Sequence, residues 1–260
     1  MSVESFHYGV TPIHTFQHAQ YPLLPWQRRR TERLDQGTGF FYQENENDYL
    51  ITNRHVVIEE EENYYPNAFE IILHTSQTDI REVRVVHVPL YDSDLNPLWF
   101  EYTHLEDNFV DVVVIDLQNY LNDSDVLFRW KGNDLPSRSQ ILAQETQIRV
   151  LGYPFGFHDE YHNLPIAKHA TIASPYGIGF ENELYYLVDG NLHPGMSGSP
   201  VIIPRSALRV KDSSFIHSFL GVFSHGWKTI VNNIDMGLGT VWFPRLVREI
   251  ISGQTRGVIR

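Results

Sequence analysis

Leu192-His193-Pro194-Gly195-Met196-Ser197-Gly198-Ser199-Pro200-Val201 is the stretch from which the rest of this chain is read. A serine on a tight turn flanked by glycines, with an apolar strand directly after it, presents a hydroxyl beside free backbone N–H groups. That hydroxyl is not ionised near neutral pH, so Ser197 attacks a carbonyl only where a neighbouring base takes its proton. The oxyanion formed needs donors fixed in advance, and the N–H groups of Gly195 and Ser197 converge on one pocket if Gly195 turns sharply. Gly-x-Ser-Gly also occurs in ordinary turns, so the case rests on partners elsewhere.

Working back from the serine, Gly37-Thr38-Gly39-Phe40-Phe41-Tyr42 and Tyr49-Leu50-Ile51-Thr52-Asn53-Arg54-His55 are two apolar runs around a polar turn, which predicts a β-hairpin. His55 falls where the second strand gives way to a loop, the place for a candidate base. Asp111 stands at the mouth of the apolar run Val112-Val113-Val114-Ile115. A buried carboxylate is costly unless hydrogen-bonded, and an imidazole N–H would serve it. Asp107 and Asp116 compete for that role but read as solvated charges flanking the strand. Further strand-like runs follow on both sides of the serine turn, and Pro244 to Ile251 has helical spacing closed by Gly253.

Composition narrows the possibilities. The 260 residues are 42% hydrophobic, enough for a substantial core, and 17 Gly and 14 Pro among many Val, Ile, Tyr and Phe favour strands joined by tight turns. A formal net charge of -12 argues against nucleic acid as a partner, since phosphate binding needs clustered cations. Arg28-Arg29-Arg30 and Glu59-Glu60-Glu61-Glu62 read as solvated segments. The absence of cysteine, with no secretory signal at the N-terminus, suits the cytoplasm, and no run approaches a membrane span. His14 with His18, and His158 with His162, have the spacing of metal ligands but no helix to carry it, so neither a metal site nor a cofactor is expected.

The order His55, Asp111, Ser197, together with Leu151-Gly152-Tyr153-Pro154-Phe155-Gly156 and Gly221-Val222-Phe223-Ser224-His225-Gly226, resembles the chymotrypsin-like (trypsin-like) serine peptidases, in the style of disulfide-free bacterial members of the HtrA and glutamyl-endopeptidase type. The resemblance implies an all-β fold of two antiparallel six-stranded β-barrels with a C-terminal helix: residues 1–34 an extension lying on the body, 35–120 the first barrel, 121–146 a connector, and 147–260 the second barrel and helix. It implies a serine endopeptidase acting on proteins or peptides, with His55 as base, Asp111 fixing its tautomer, Ser197 as nucleophile, and Gly195 and Ser197 as the oxyanion hole. By the same pattern the pocket for the residue before the scissile bond has Asn191 at its base, Ser224, His225 and Gly226 as a wall and Gly239 at its side, which favours a neutral side chain.

Departures from the pattern are informative. Met196 stands where the digestive enzymes carry an acidic residue that pairs with a newly released N-terminus, so no proteolytic activation is expected. Phe223 replaces the histidine with which glutamyl endopeptidases hold glutamate. With only a short tail after the final helix, no PDZ module is expected. The competing readings are a catalytically latent or non-catalytic relative that uses the cleft to bind proteins, and an esterase of another fold. The α/β-hydrolase order, with His last, disfavours the esterase.

Overall fold

Alternation of buried and exposed side chains along short Val-, Ile- and aromatic-rich runs builds this molecule from strands, and a computed structural model describes residues 4–102, 109–132, 142–204, 217–229, 231–232 and 234–259. The first lobe holds β1 (Val10–Gln17), β2 (Glu32–Glu44), β3 (Asn47–Thr52), the single turn α1 (Arg54–Val57), β4 (Ala68–His74), β5 (Val83–Pro89), β6 (Trp99–Glu101), β7 (Val113–Asp116) and β8 (Trp130–Lys131). The second holds β9 (Gln147–Gly152), β10 (Ile166–Ile172), β11 (Tyr185–Asp189), β12 (Pro200–Pro204), β13 (His217–Lys228), β14 (Asp235–Trp242) and the helix α2 (Arg245–Gly253). The expected six-stranded barrel is present in this lobe, where β9, β10, β11, β14, β13 and β12 close into an antiparallel barrel. Among the described residues no helix is long and apolar enough to cross a membrane.

The first lobe differs in three respects from expectation. It is an eight-stranded sheet in the order β5-β4-β1-β2-β3-β7-β6, with β8 paired in parallel to β2. The expected extension of residues 1–34 supplies one of its inner strands, since β1 lies between β2 and β4 with Ile13 opposite both Gly37 and Ile71. Pro12 hides that strand from sequence reading, because proline cannot donate to a ladder. Thr11 makes good the gap: its hydroxyl donates to the Ile72 carbonyl at 3.0 Å and accepts the Ile72 N–H at 2.9 Å. The expected connector is likewise part of the body as far as it is described. Trp130, fully buried, packs edge-on to Phe128, while residues 133–141 lie outside the described residues.

Each lobe has an apolar interior, Ile13, Phe69 and Ile115 among others in the first and Val150, Met196 and Val241 in the second. A third core joins the lobes, where Phe40, Ile51 and Val114 meet Tyr153, Phe219 and the inner face of α2. Burial of that face, Leu246, Val247, Ile250 and Ile251, is what holds the nine-residue helix, which is too short to be stable alone.

Candidate active site

Thr38 is where the lobes meet. Its N–H donates to the Ser197 carbonyl at 2.9 Å, its hydroxyl donates to the Gly195 carbonyl at 2.8 Å and accepts the Tyr153 N–H at 3.1 Å, and its own carbonyl accepts the Thr52 hydroxyl at 2.8 Å. Gly198, at φ +87°, allows this approach: a Cβ there would lie 2.1 Å from the Thr38 carbonyl oxygen.

The first lobe contributes the dyad. The end of β3 turns directly into α1, which carries His55, and Asp111 precedes β7, the strand paired to β3. Asp111 Oδ2 accepts His55 Nδ1–H at 2.7 Å, and Oδ1 accepts the His55 backbone N–H at 3.0 Å. Asn53 Nδ2 donates to the Asp111 carbonyl at 2.5 Å, fixing the backbone on which the carboxylate stands. Burial pulls the His55 pKa down, but the charge and hydrogen bond of Asp111 outweigh it and hold it above the ordinary 6.5. The carboxylate is raised by burial and lowered further by His55 and by hydrogen bonds, and it stays ionised. Of the competing acids, Asp116 is exposed at the end of β7 and Asp107 lies outside the described residues.

The second lobe contributes the serine turn. Gly195 has φ +87°, and a Cβ there would stand 2.5 Å from the Tyr153 carbonyl oxygen. The Pro194 carbonyl accepts the Phe155 N–H at 2.7 Å, and because the intervening peptide is trans, the Gly195 N–H points the opposite way. Among the described residues neither the Gly195 nor the Ser197 N–H has an acceptor, which leaves two donors beside the Ser197 hydroxyl. That hydroxyl rests on the Ser224 carbonyl at 3.0 Å, while the Ser224 hydroxyl donates to Asp111 Oδ2 at 2.5 Å. Ser224, fully buried on β13, therefore ties the serine turn to the dyad. The sequence places it only on a pocket wall; its central position has no local sequence signature.

A pocket of about 270 Å³ opens beside Ser197, walled by Leu192, Pro194, Phe223, Ser224, His225 and Gly226, with Lys228 and Asp235 also on its wall. Ser224, His225 and Gly226, expected on the wall of a substrate pocket, line this one. Asn191 and Gly239 do not line it: Asn191 is exposed, and Gly239 is covered by the Phe223 ring, whose edge would lie 2.6 Å from a Cβ at that position. A larger cleft of about 690 Å³ runs past His55 and Asp111, bordered by Asp35, Glu59, Glu62, Glu181 and Glu183. None of these five carboxylates forms an ion pair with a lysine or arginine among the described residues. Half of the supposedly solvated acidic run thus belongs to the cleft, and burial raises the Glu59 carboxyl above its ordinary range.

A profile of the trypsin-like peptidase domain matches residues 37–207, a span that includes His55, Asp111 and Ser197. Similar solved structures include the Rv3671c protease in an inactive form, at 18% identity and TM-score 0.46 over 96% of this chain and 90% of that one. Another is the inactive form of a serine-to-alanine mutant of Rv3671c from M. tuberculosis, at 18% identity and TM-score 0.49 over 98% and 91%. No curated protein matches the chain. With the profile covering well over half of the residues, the chain belongs to the trypsin-like peptidase domain family and is a serine-type peptidase of chymotrypsin-like fold.

Proposed function

We propose that the protein is an endopeptidase that cleaves peptide bonds through Ser197, His55 and Asp111 by way of a covalent acyl-enzyme, with no proteolytic activation step. The observation that carries this reading is Ser224, whose carbonyl holds the Ser197 hydroxyl and whose own hydroxyl holds the Asp111 carboxylate. For attack, Ser197 Oγ leaves the Ser224 carbonyl and gives its proton to His55 Nε2, the ring nitrogen left free by Asp111. His55 takes the proton as Oγ attacks the carbonyl carbon, and the Gly195 and Ser197 N–H groups receive the oxyanion. As the C–N bond breaks His55 returns that proton to the leaving amine, and a water repeats the sequence on the acyl-enzyme. Met196, fully buried among apolar side chains, asks for no released N-terminus to neutralise it. A fluorophosphonate probe tests the assignment: labelling maps to Ser197 by peptide mass spectrometry and is lost in His55→Ala. A folded protein that takes no label overturns the catalytic reading and leaves the cleft a binding site.

The base imposes a pH dependence. His55 must be neutral to accept a proton, so kcat/KM rises with pH through a value above 6.5, the raised pKa of the free enzyme. In Asp111→Asn the carboxylate charge is gone while the burial remains, so the limb moves to lower pH as the rate falls. An acid limb that stays in place in Asp111→Asn contradicts the assignment of Asp111.

Substrate preference follows from the two cavities. The Phe223-floored pocket suits a neutral, small or medium apolar side chain, and the five unpaired carboxylates of the cleft favour Lys or Arg in the residues flanking it. A peptide library shows cationic flanks cleaved faster at low salt, with the advantage shrinking as ionic strength rises. Glu59→Gln with Glu62→Gln reduces it too. A preference for acidic flanks, or one indifferent to salt, goes against this reading.

A further inference from the structure

His225 follows Ser224 on β13, and its ring stands on the walls of both cavities. Its Nδ1 lies 2.9 Å from Ser224 Oγ, the oxygen that is 2.5 Å from Asp111 Oδ2. The Ser224 hydroxyl has one proton for two neighbours. If that proton lies on Asp111, the contact with His225 is a hydrogen bond only when Nδ1 carries the donor. If His225 is instead protonated on Nε2, its bare Nδ1 competes for the Ser224 proton and Asp111 loses a partner. The state of this second imidazole therefore decides how many donors the carboxylate behind His55 receives.

We propose that His225 is a positioning residue of this site: its Nδ1–H, donated to Ser224 Oγ, fixes the Ser224 proton on Asp111 Oδ2. The carboxylate then has three donors, the His55 backbone N–H, His55 Nδ1–H and the Ser224 hydroxyl. Each donor bonded to a carboxylate draws off charge that would otherwise stabilise the imidazolium, so the Ser224 bond tempers the basicity of His55 while locking Asp111 in orientation. His225 is neutral at pH 7, since burial lowers its pKa and the neighbouring His55 lowers it further, against the opposing Asp111 charge. The other charged groups facing its cavities are Asp35, Glu59 and Glu62 from the first lobe and, from the second, Glu181, Glu183, His193, Lys228 and Asp235.

This inference rests on the catalytic reading of His55, but its test does not need a substrate. With histidine labelled in its ring nitrogens and the His55 signals assigned through His55→Ala, NMR titration follows His55 in wild type, His225→Phe and His225→Asn. In His225→Phe, which keeps a ring but no donor, Ser224 Oγ loses the N–H that polarises its hydroxyl, so its bond to Asp111 weakens, the His55 pKa rises and its Nδ1–H signal broadens. The acid limb of kcat/KM moves to higher pH, and kcat falls roughly three- to tenfold, the rate equivalent of about one hydrogen bond. His225→Asn, whose Nδ2–H takes the place of Nδ1–H, returns all these quantities toward wild type. A His55 titration unchanged in His225→Phe overturns the proposal even if kcat falls, because the side chain then acts on substrate alone. Asn behaving as Phe does overturns it as well. A protein that cleaves nothing defeats the peptidase reading but leaves the titration comparison intact.

Discussion

Ser197→Ala lowers kcat/KM by roughly 10⁴- to 10⁶-fold and leaves the melting temperature close to that of wild type. The two outcomes have separate causes. Among the described residues the hydroxyl makes a single hydrogen bond, to the Ser224 carbonyl, so its structural loss is about 1 kcal/mol. The chemistry, by contrast, loses the atom that forms the acyl bond. Because nucleophile and base act as one unit, adding His55→Ala to Ser197→Ala costs almost nothing more. Peptide hydrolysis measured for the two single variants and the double variant reads this directly. A Ser197→Ala protein retaining more than about 1% of wild-type activity, or a double variant showing additive losses, places the nucleophile elsewhere.

The largest effect on stability is expected at Arg54, the neighbour of the candidate base. Its guanidinium, 3% exposed, donates to Glu101 at 3.0 Å, to both oxygens of Glu60 at 2.7 and 2.6 Å, and to the Val258 carbonyl at 2.9 Å. Desolvation works against this cation, and hydrogen bonds and charge from the two glutamates reverse the balance, so its pKa is raised above the ordinary arginine value. Arg54→Met removes the positive charge from beside Glu101, itself 3% exposed and still bonded by the Trp99 indole N–H, so a buried carboxylate loses its counter-charge. Breaking a buried pair from one side costs about 3–5 kcal/mol, which lowers the melting temperature by about 10 °C. Arg54→Met combined with Glu101→Gln recovers part of the loss, because the more deeply buried of the two carboxylates is then neutral. Calorimetry distinguishes the cases: a single variant that melts within about 2 °C of wild type refutes the account, as does a double variant no more stable than the single.

How much of this was legible in the sequence depended on whether the signal was local. Ser197, His55 and Asp111 each sit in a short stretch with its own chemical logic, a glycine-flanked turn, a strand end and the mouth of an apolar strand, and their order along the chain carried the family resemblance. β1 was illegible because a strand buried between two neighbours loses the alternation of a half-exposed one, and Pro12 breaks what remains. Glu59 to Glu62 read as one solvated run, yet Glu60 binds Arg54 while Glu59 and Glu62 border the cleft, a division set by the fold around them. Asn191 and Gly239 were placed by position in the family's pattern. A pocket floor depends instead on which side chain fills the space, and here Phe223 fills it. Thr38 lay in plain view between Gly37 and Gly39, but its partners at Gly195 and Ser197 are distant in sequence.

The position of Thr38 bears on how such a molecule comes apart. One residue of the first lobe fastens the carbonyls of Gly195 and Ser197, whose N–H groups are the donors proposed to receive the oxyanion. Parting of the lobes breaks these bonds together with the core the lobes share, so the serine turn is as secure as the packing between the lobes and no more.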